Sequence, residues 1–299
     1  MAGAGEVRKL RGRIRSVGNT AKVTRAMELV SASKMRRAQD RALAARPYAE
    51  LMRGVLARLS GYAATADSET LHPLLRERRV RRFALIHITA DRGLAGGLNA
   101  NMNRRGASLA LEHQPAVDEV SVLAVGRKGR DFFRRSGFPL LAEFTALGDR
   151  PGQADVLPIA RIVMEDYVRE RLDQVYIGYQ RFVSTGAQRP TVRQLLPVRA
   201  PEGDPGEESS ALRREFLFEP SPPALLEALL PRYIEMQILE ALLDSVASEH
   251  SARMVAMHQA TEAAQEMVTE LTLTYNKARQ DQITSELLDI VGGTAAVEA

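Results

Sequence analysis

The sequence contains no cysteine. That absence excludes a disulfide framework, a thiolate nucleophile and a Cys-based zinc site, and it fits a reducing cytoplasm. Long apolar runs are missing too: no stretch reaches the roughly 18 residues needed to span a bilayer. The first residues are rich in Lys and Arg and lack the apolar core of about 7 to 15 residues that marks a secretory signal. Any membrane association is therefore expected to run through partners. Aromatic residues make up 5% of the chain, and none precedes Tyr48. Proline and glycine are both absent between Pro231 and Gly292. The five histidines are scattered. His250 and His258 would lie about two helical turns apart, too far to share one metal ion without further ligands. No cofactor or metal is expected.

The residues within that proline-free and glycine-free stretch are strongly periodic. Leu243, Ala247, His250, Met254, Met257, Thr261, Ala264, Val268, Leu271, Tyr275, Ala278 and Gln282 follow one another by alternating steps of four and three. This is a heptad seam, the period that keeps one helical stripe against a partner helix. A helix from Ala224 to Ile290 would be roughly 100 Å long at 1.5 Å per residue. A partner is available at the start of the chain, where Val7, Leu10, Ile14, Val17 and Ala21 step similarly. After a phase slip Val23, Met27 and Val30 take up the pattern, and a second slip leads into Ala38, Ala42, Ala45, Ala49, Met52, Leu56 and Leu59. Residues 1–60 carry 14 Lys/Arg against 4 Asp/Glu, and residues 215–299 carry 4 against 14. Two long amphipathic helices of opposite charge are the expected halves of one antiparallel coiled coil. Pro47 is expected to kink or break the first helix, and residues 61–72 to turn the chain out of it.

Between the helices the pattern changes. Phe83–Ile88, Val120–Val125, Val175–Phe182 and Val192–Val198 read as strands, with a short helix through Phe132 and Phe133 and a longer one over Ile159–Leu172. Strands alternating with helices imply an α/β domain, Rossmann-like, with an at least partly parallel sheet. The fold class is thus α/β plus a long antiparallel coiled coil, divided as 1–60, 61–214 and 215–299. Residues 199–210, rich in Pro, Gly and acids, read as an exposed loop or linker, and Phe216–Phe218 as a short extended piece.

Two stretches could carry chemistry. The loop "DRGLAGGLN", residues 91–99, follows a strand and precedes a helix as phosphate-binding loops do. It lacks the Gly-Lys-Ser/Thr ending of a P-loop and the spacing of the dinucleotide fingerprint, so it reads as a turn whose glycines permit positive φ. An α/β enzyme using this loop is one alternative. The basic face of the first helix, from Arg8 to Arg37, could attract phosphate, which makes a nucleic-acid-binding coiled coil another. No recognised nucleic-acid motif accompanies it, and a solvated or protein-facing charge stripe is the simpler reading.

The strings "IRSVGNTAKVTRAMELVSASKMRRAQDRALAARPYAE", "DRGLAGGLN", "YQRFVST" and "SEHSARMVAMHQATEAA" with "LTYNKARQDQITSELLDIVGG" together resemble the gamma-subunit family of the rotary proton-translocating ATP synthase. Both ends match closely and the middle at several points. The resemblance implies a non-catalytic central-stalk rotor, one copy per complex. It would stand in a ring of three alpha and three beta subunits, with its foot on the epsilon subunit and the membrane c ring, on the cytoplasmic face of a bacterial membrane. It implies beta-subunit contacts for Arg279, Gln280 and Thr284, with Met27 and nearby Lys22 and Arg25 on the facing turn of the first helix. Phe216 and Glu219 match positions near the c ring. The seam residues Met257, Ala264, Val268, Leu271, Tyr275 and Ala278 would hold the rod together, and the apolar tip at Ile283, Leu287, Leu288, Ile290 and Val291 would run in an apolar sleeve. Ala95 stands where many members carry cysteine, which argues against thiol regulation.

Overall fold

A computed structural model describes residues 2–64, 71–199 and 221–297. The chain forms two compact units, one from the residues up to Ser31 together with those from Arg253, the other from Ala32–Ala252. Helices α1 (Ala2–Ala64) and α5 (Pro222–Val297) contribute to both.

The larger unit is built on a five-stranded sheet. Its strands are β1 (Arg82–Ile88), β2 (Glu119–Val125), β3 (Leu140–Phe144), β4 (Gln174–Ser184) and β5 (Ala187–Leu196), in the order β3-β2-β1-β4-β5. The first four are parallel and β5 pairs antiparallel with β4. Strands β1 and β2 are buried at all but their first residue, because helices cover both faces of a parallel sheet. Alternation along β1 separates two cores. Phe83 and Leu85 face a layer with Leu109 and Ala110 of α2 (Leu98–His113) and Phe133 of α3 (Arg127–Arg135). Ala84, Ile86 and Ile88 face the opposite layer, where Ile159, Val163 and Tyr167 of α4 (Gln153–Val168) meet Met52, Leu56 and Leu59 of α1 and Leu230, Ile234 and Ile238 of α5.

Several expectations need correction. The break at Pro47 does not occur: α1 runs through it. The ring is exposed, so the amide that proline lacks lies on the solvated side, where its loss is least costly. Helix α1 also continues past residue 60 to Ala64. Strand β3 was not foreseen: its burial is only partial along its length, so the five residues show neither a clean alternation nor a fully apolar run. Phe216–Phe218 and most of the segment 199–210 lie outside the described residues.

At its start, α5 begins with Pro222 and Pro223, positions where a missing N–H costs no helical hydrogen bond. The backbone N–H of Ala224 donates to the Ser221 hydroxyl at 3.5 Å and that of Leu225 to the Ser221 carbonyl at 3.1 Å. The seryl hydroxyl thus takes up one amide that the first turn leaves unpaired, and its carbonyl accepts the first intrahelical bond.

Candidate functional site

In the smaller unit α1 and α5 pair side by side. Arg11 donates to the Tyr275 hydroxyl at 2.7 Å, the Thr24 and Thr261 hydroxyls are 2.7 Å apart, and His258 Nδ1 lies 3.2 Å from Glu28 Oε1. The residue numbers of each pair total 285 or 286. A constant sum means that one helix advances as the other retreats, so the pairing is antiparallel and in one register. The seam on α5 is the line of Met257, Thr261, Ala264, Val268, Leu271, Tyr275, Ala278 and Gln282, each buried or half-buried, with exposed residues between them. On α1 it runs through Leu10, Ile14, Val17, Ala21, Thr24, Glu28 and Ser31.

The first phase slip is therefore absent. Val23 and Val30 are 58% and 53% exposed, while Thr24 and Ser31 beside them are buried. The heptad continues through small polar residues, because the Thr24 hydroxyl finds a partner in Thr261 and a small side chain lets the backbones approach. The second slip disappears with it, since Ser31 and Ala38 are one heptad apart.

Charge acts differently from the expectation as well. Among the described residues of this unit, no ion pair between a Lys or Arg of α1 and an α5 carboxylate is seen; the polar contacts across the seam include Arg11 with Tyr275 and His258 with Glu28. Opposite net charge favours the pairing through the summed field at distances of about a Debye length, roughly 8–10 Å. Arg11 adds a local contribution: its bond and charge hold the Tyr275 hydroxyl below its ordinary pKa, although desolvation opposes this.

The register also separates two groups of residues that were expected to face one another. Arg25 lies opposite residue 261, and Arg279 opposite residue 7. At 1.5 Å per residue the two levels are about 27 Å apart along the helix. Lys22, Arg25 and Met27 thus form one level and Arg279, Gln280 and Thr284 another. Arg25 is tied to Glu28 by two bonds of 2.8 and 2.9 Å, whereas Lys22, Arg279, Gln280 and Thr284 are exposed and Met27 is half-buried. Past Thr284 the register leaves α5 beyond the start of α1. There Leu287, Leu288, Ile290 and Val291 are 57–66% exposed, and Ile283 just before them is 45% exposed. Phe216 and Glu219 lie outside the described residues.

The α/β layers offer the other place where chemistry could sit. In open parallel sheets, ligands bind at the carboxyl ends of the strands where the strand order reverses, here between β1 and β4. This crevice is narrowed to about 50 Å³ by groups of the same unit. The Gln180 side chain donates to the Leu98 carbonyl at 2.8 Å, the Ser245 hydroxyl of α5 accepts from the Gln180 amide at 3.3 Å, and the Ser248 hydroxyl donates to the Gln180 carbonyl at 3.0 Å. The glycine-rich loop is similarly committed. Asp91 accepts the first backbone N–H of α3 from Arg127 at 3.0 Å and the N–H of Ala146 at 2.8 Å. A carboxylate of the chain itself thus caps the N-terminus of α3, whereas α2, the helix that the loop opens, begins after Gly97 without a side-chain cap. Leu94 and Gly96 adopt positive φ in the turn.

Beneath the loop, His87 is fully buried and burial pulls its pKa down to about 4, against the upward effect of its bond to Asn103. Asn103 uses its amide nitrogen toward the Lys128 carbonyl, leaving Oδ1 to accept from His87 Nε2 at 2.9 Å. Nδ1 therefore carries no proton, and it has no hydrogen-bond partner. The ring meets Phe133 edge-on at 4.8 Å. This is a neutral packing histidine, with no substrate path to it.

Comparison with known proteins decides the family. A family model described as ATP synthase matches residues 6–297. The chain belongs to the ATP synthase gamma-chain family. A Dehalococcoides mccartyi protein named ATP synthase gamma chain is 51% identical over 291 residues, covering 97% of this chain and 99% of the relative. One of the same name from Roseiflexus castenholzii is 48% identical over 290 residues, covering 97% and 98%. The fold is shared with a chain in the rotor of the Euglena gracilis mitochondrial ATP synthase, at TM-score 0.64 and 18% identity over 94% of this chain and 99% of that one. It is also shared with a chain of the Tetrahymena thermophila mitochondrial central stalk and c-ring structure, at TM-score 0.60 and 24% identity over 80% and 99%. Membership makes the chain one subunit of an enzyme complex associated with membranes. No helix among its described residues is long and apolar enough to cross one. None of these matches supports a nucleic-acid-binding role.

Proposed function

We propose that this chain is the non-catalytic rotor of the complex, coupling proton flow through a membrane c ring to ATP synthesis at the beta subunits. The observation that carries this reading is the single antiparallel register of α1 and α5, in a chain whose relatives are gamma chains. A two-helix coil with a continuous seam resists bending and twisting better than one helix alone. The exposed apolar residues from Ile283 to Val291 suit a bearing, because apolar surfaces in contact make few directional bonds that turning would have to break. One copy stands with three alpha and three beta subunits and with epsilon, peripheral to the cytoplasmic face of a bacterial membrane. The levels at Met27 and at Arg279 meet beta subunits at different heights, and Phe216 and Glu219 meet the c ring. Each rotor angle then favours one set of beta-subunit conformations, since only differential affinity shifts such populations. The narrow crevice at Gln180, about 50 Å³, supports leaving the chemistry to other subunits.

Co-expression with alpha, beta and epsilon partners tests this. One copy should co-purify with three alpha and three beta, and reconstituted vesicles should pump protons on ATP addition. Failure to assemble, or nucleotide turnover by the isolated chain, would overturn it.

A further inference from the structure

The loop between β3 and α4 carries Asp149, which touches both long helices. Asp149 Oδ2 lies 2.6 Å from Lys34 Nζ on α1, and Oδ1 lies 3.2 Å from His250 Nε2 on α5. Its backbone carbonyl accepts from Arg41, again on α1, at 3.4 Å. One residue of the α/β layers therefore holds both long helices within the larger unit. Among the described residues of α1 from Ala32 to Leu56, the only side-chain hydrogen bonds or ion pairs to the α/β layers are those from Lys34 and Arg41, and both end on Asp149. Helix α5 is held additionally by Ser248 and Ser251, the latter donating to the Thr185 carbonyl at 2.6 Å.

The loop is itself anchored to the sheet. The N–H of Ala146 donates to Asp91 and that of Gly126 to the Phe144 carbonyl at 2.7 Å. Burial disfavours the Asp149 charge, but the Lys34 bond and the charges of His250, Lys34 and Arg92 outweigh it and keep the carboxyl below the ordinary range. The position along the helices matters. The larger unit ends at Ala32 on α1 and Ala252 on α5, so Lys34 and His250 sit within its last turn on each helix.

From this geometry we infer that Asp149 is a positioning residue for torque transmission, fixing α1 and α5 to the α/β layers where both helices leave that unit. Core packing of helix on sheet already resists displacement, and a carboxylate shared by two helices adds directional contacts to it at this level. The inference rests on the rotor reading, and its test separates the two.

Asp149→Ala, Asp149→Asn and Asp149→Glu are made in the full chain and assembled into the complex in vesicles. Wild-type assembly and proton pumping test the rotor reading alone. For Asp149, the expectation is that Ala and Asn variants still assemble and hydrolyse ATP while proton pumping per ATP is lost, and that Glu restores it. In the full-length Ala variant, hydrogen exchange over residues 145–152 should quicken about fivefold, the opening expected when a half-exposed ion pair is removed. Pumping per ATP equal to wild type in the Ala variant would overturn the assignment and leave Asp149 as a stabilising contact. Loss that Glu fails to restore would overturn it as well.

Discussion

Thr24 and Thr261 meet hydroxyl to hydroxyl, 2.7 Å apart, in the buried seam of the coiled coil. Each hydroxyl also reaches a carbonyl of its own helix, Ala21 at 3.1 Å and Met257 at 2.8 Å. Two protons serve three contacts, so one hydroxyl donates across the seam while the other donates to the carbonyl of its own helix. Replacing one by valine removes the bond across the seam and leaves the other hydroxyl the carbonyl of its own helix. Thr24→Val or Thr261→Val alone should cost about 0.5–1.5 kcal/mol, while the double variant should cost less than the sum of the two single losses, because the bond across the seam can be lost only once. Denaturant unfolding of the three variants gives the coupling energy directly. Equal and additive losses would show that the two hydroxyls do not act together.

Burial of His87 makes stability depend on pH. Its folded pKa is about 4, below the ordinary histidine value of 6.5, so the folded chain keeps the ring neutral where the unfolded chain protonates it. The stabilising contribution is complete above the unfolded value and fades as pH falls from about 6.5 toward 4. The loss over that interval is about 3 kcal/mol at full size. Asp173, whose pKa is lowered despite burial by the bonds from the Arg82 and Arg81 backbone and from the Arg82 side chain, loses its share at lower pH. His87→Gln should flatten the stability profile between pH 6.5 and 4, whatever its effect at pH 7. Urea midpoints at four or five pH values would show it, and an unchanged slope would mean that the ring is solvated.

The same ring explains two glycines. A Cβ on Gly106 would come within 2.7 Å of His87, and one on Gly129 within 2.6 Å. Neither position has positive φ, so the restriction is one of space. Gly129→Ala should destabilise by about 1–3 kcal/mol through overpacking. His87→Ala in the Gly129→Ala background should give part of this back, by making room for the new methyl. Thermal unfolding of the four-member cycle tests this coupling, and strictly additive effects would refute it.

The sequence carried the fold unevenly, and the reasons differ by residue. Strands β1 and β2 were plain because both their faces are buried, whereas β3 hid because its residues are mostly half-exposed. The α5 seam could be read in full, Thr261 and Gln282 included, since its period was followed through polar positions. On α1 the apolar residues nearest the seam line are Val23 and Val30, which face outward. Counting sevens from Leu10 and Val17 would have reached Thr24 and Ser31. Asp149 could not have been found this way, because its three partners lie about 100 or more residues away in sequence, and no periodic signal links a loop to two helices. The level difference between Met27 and Arg279 was equally hidden until pairs such as Arg11 with Tyr275 set the register.

Arg279 separates folding from coupling. It is exposed, and its one evident effect within the chain is to help lower the pKa of Tyr275. Truncating an exposed side chain with no packing role changes stability by no more than about 0.5 kcal/mol. Val268 and Leu271 lie in the seam about two or three turns away and are half-buried. An aspartate at either position would put a charge between two helices, so Val268→Asp with Leu271→Asp should lower the unfolding midpoint as well as coupled activity. Arg279→Ala should leave the midpoint within error and still reduce ATP-driven proton pumping in the assembled complex, because a guanidinium exposed on the coil is free to make charge-assisted bonds to carboxylates of a neighbouring subunit. Unfolding curves and vesicle pumping on both variants give two measurements each. A normal midpoint with normal pumping in Arg279→Ala would remove that residue from the beta-subunit contact, and a normal midpoint in the seam variant would mean that the two helices are not held by the line from Met257 to Gln282.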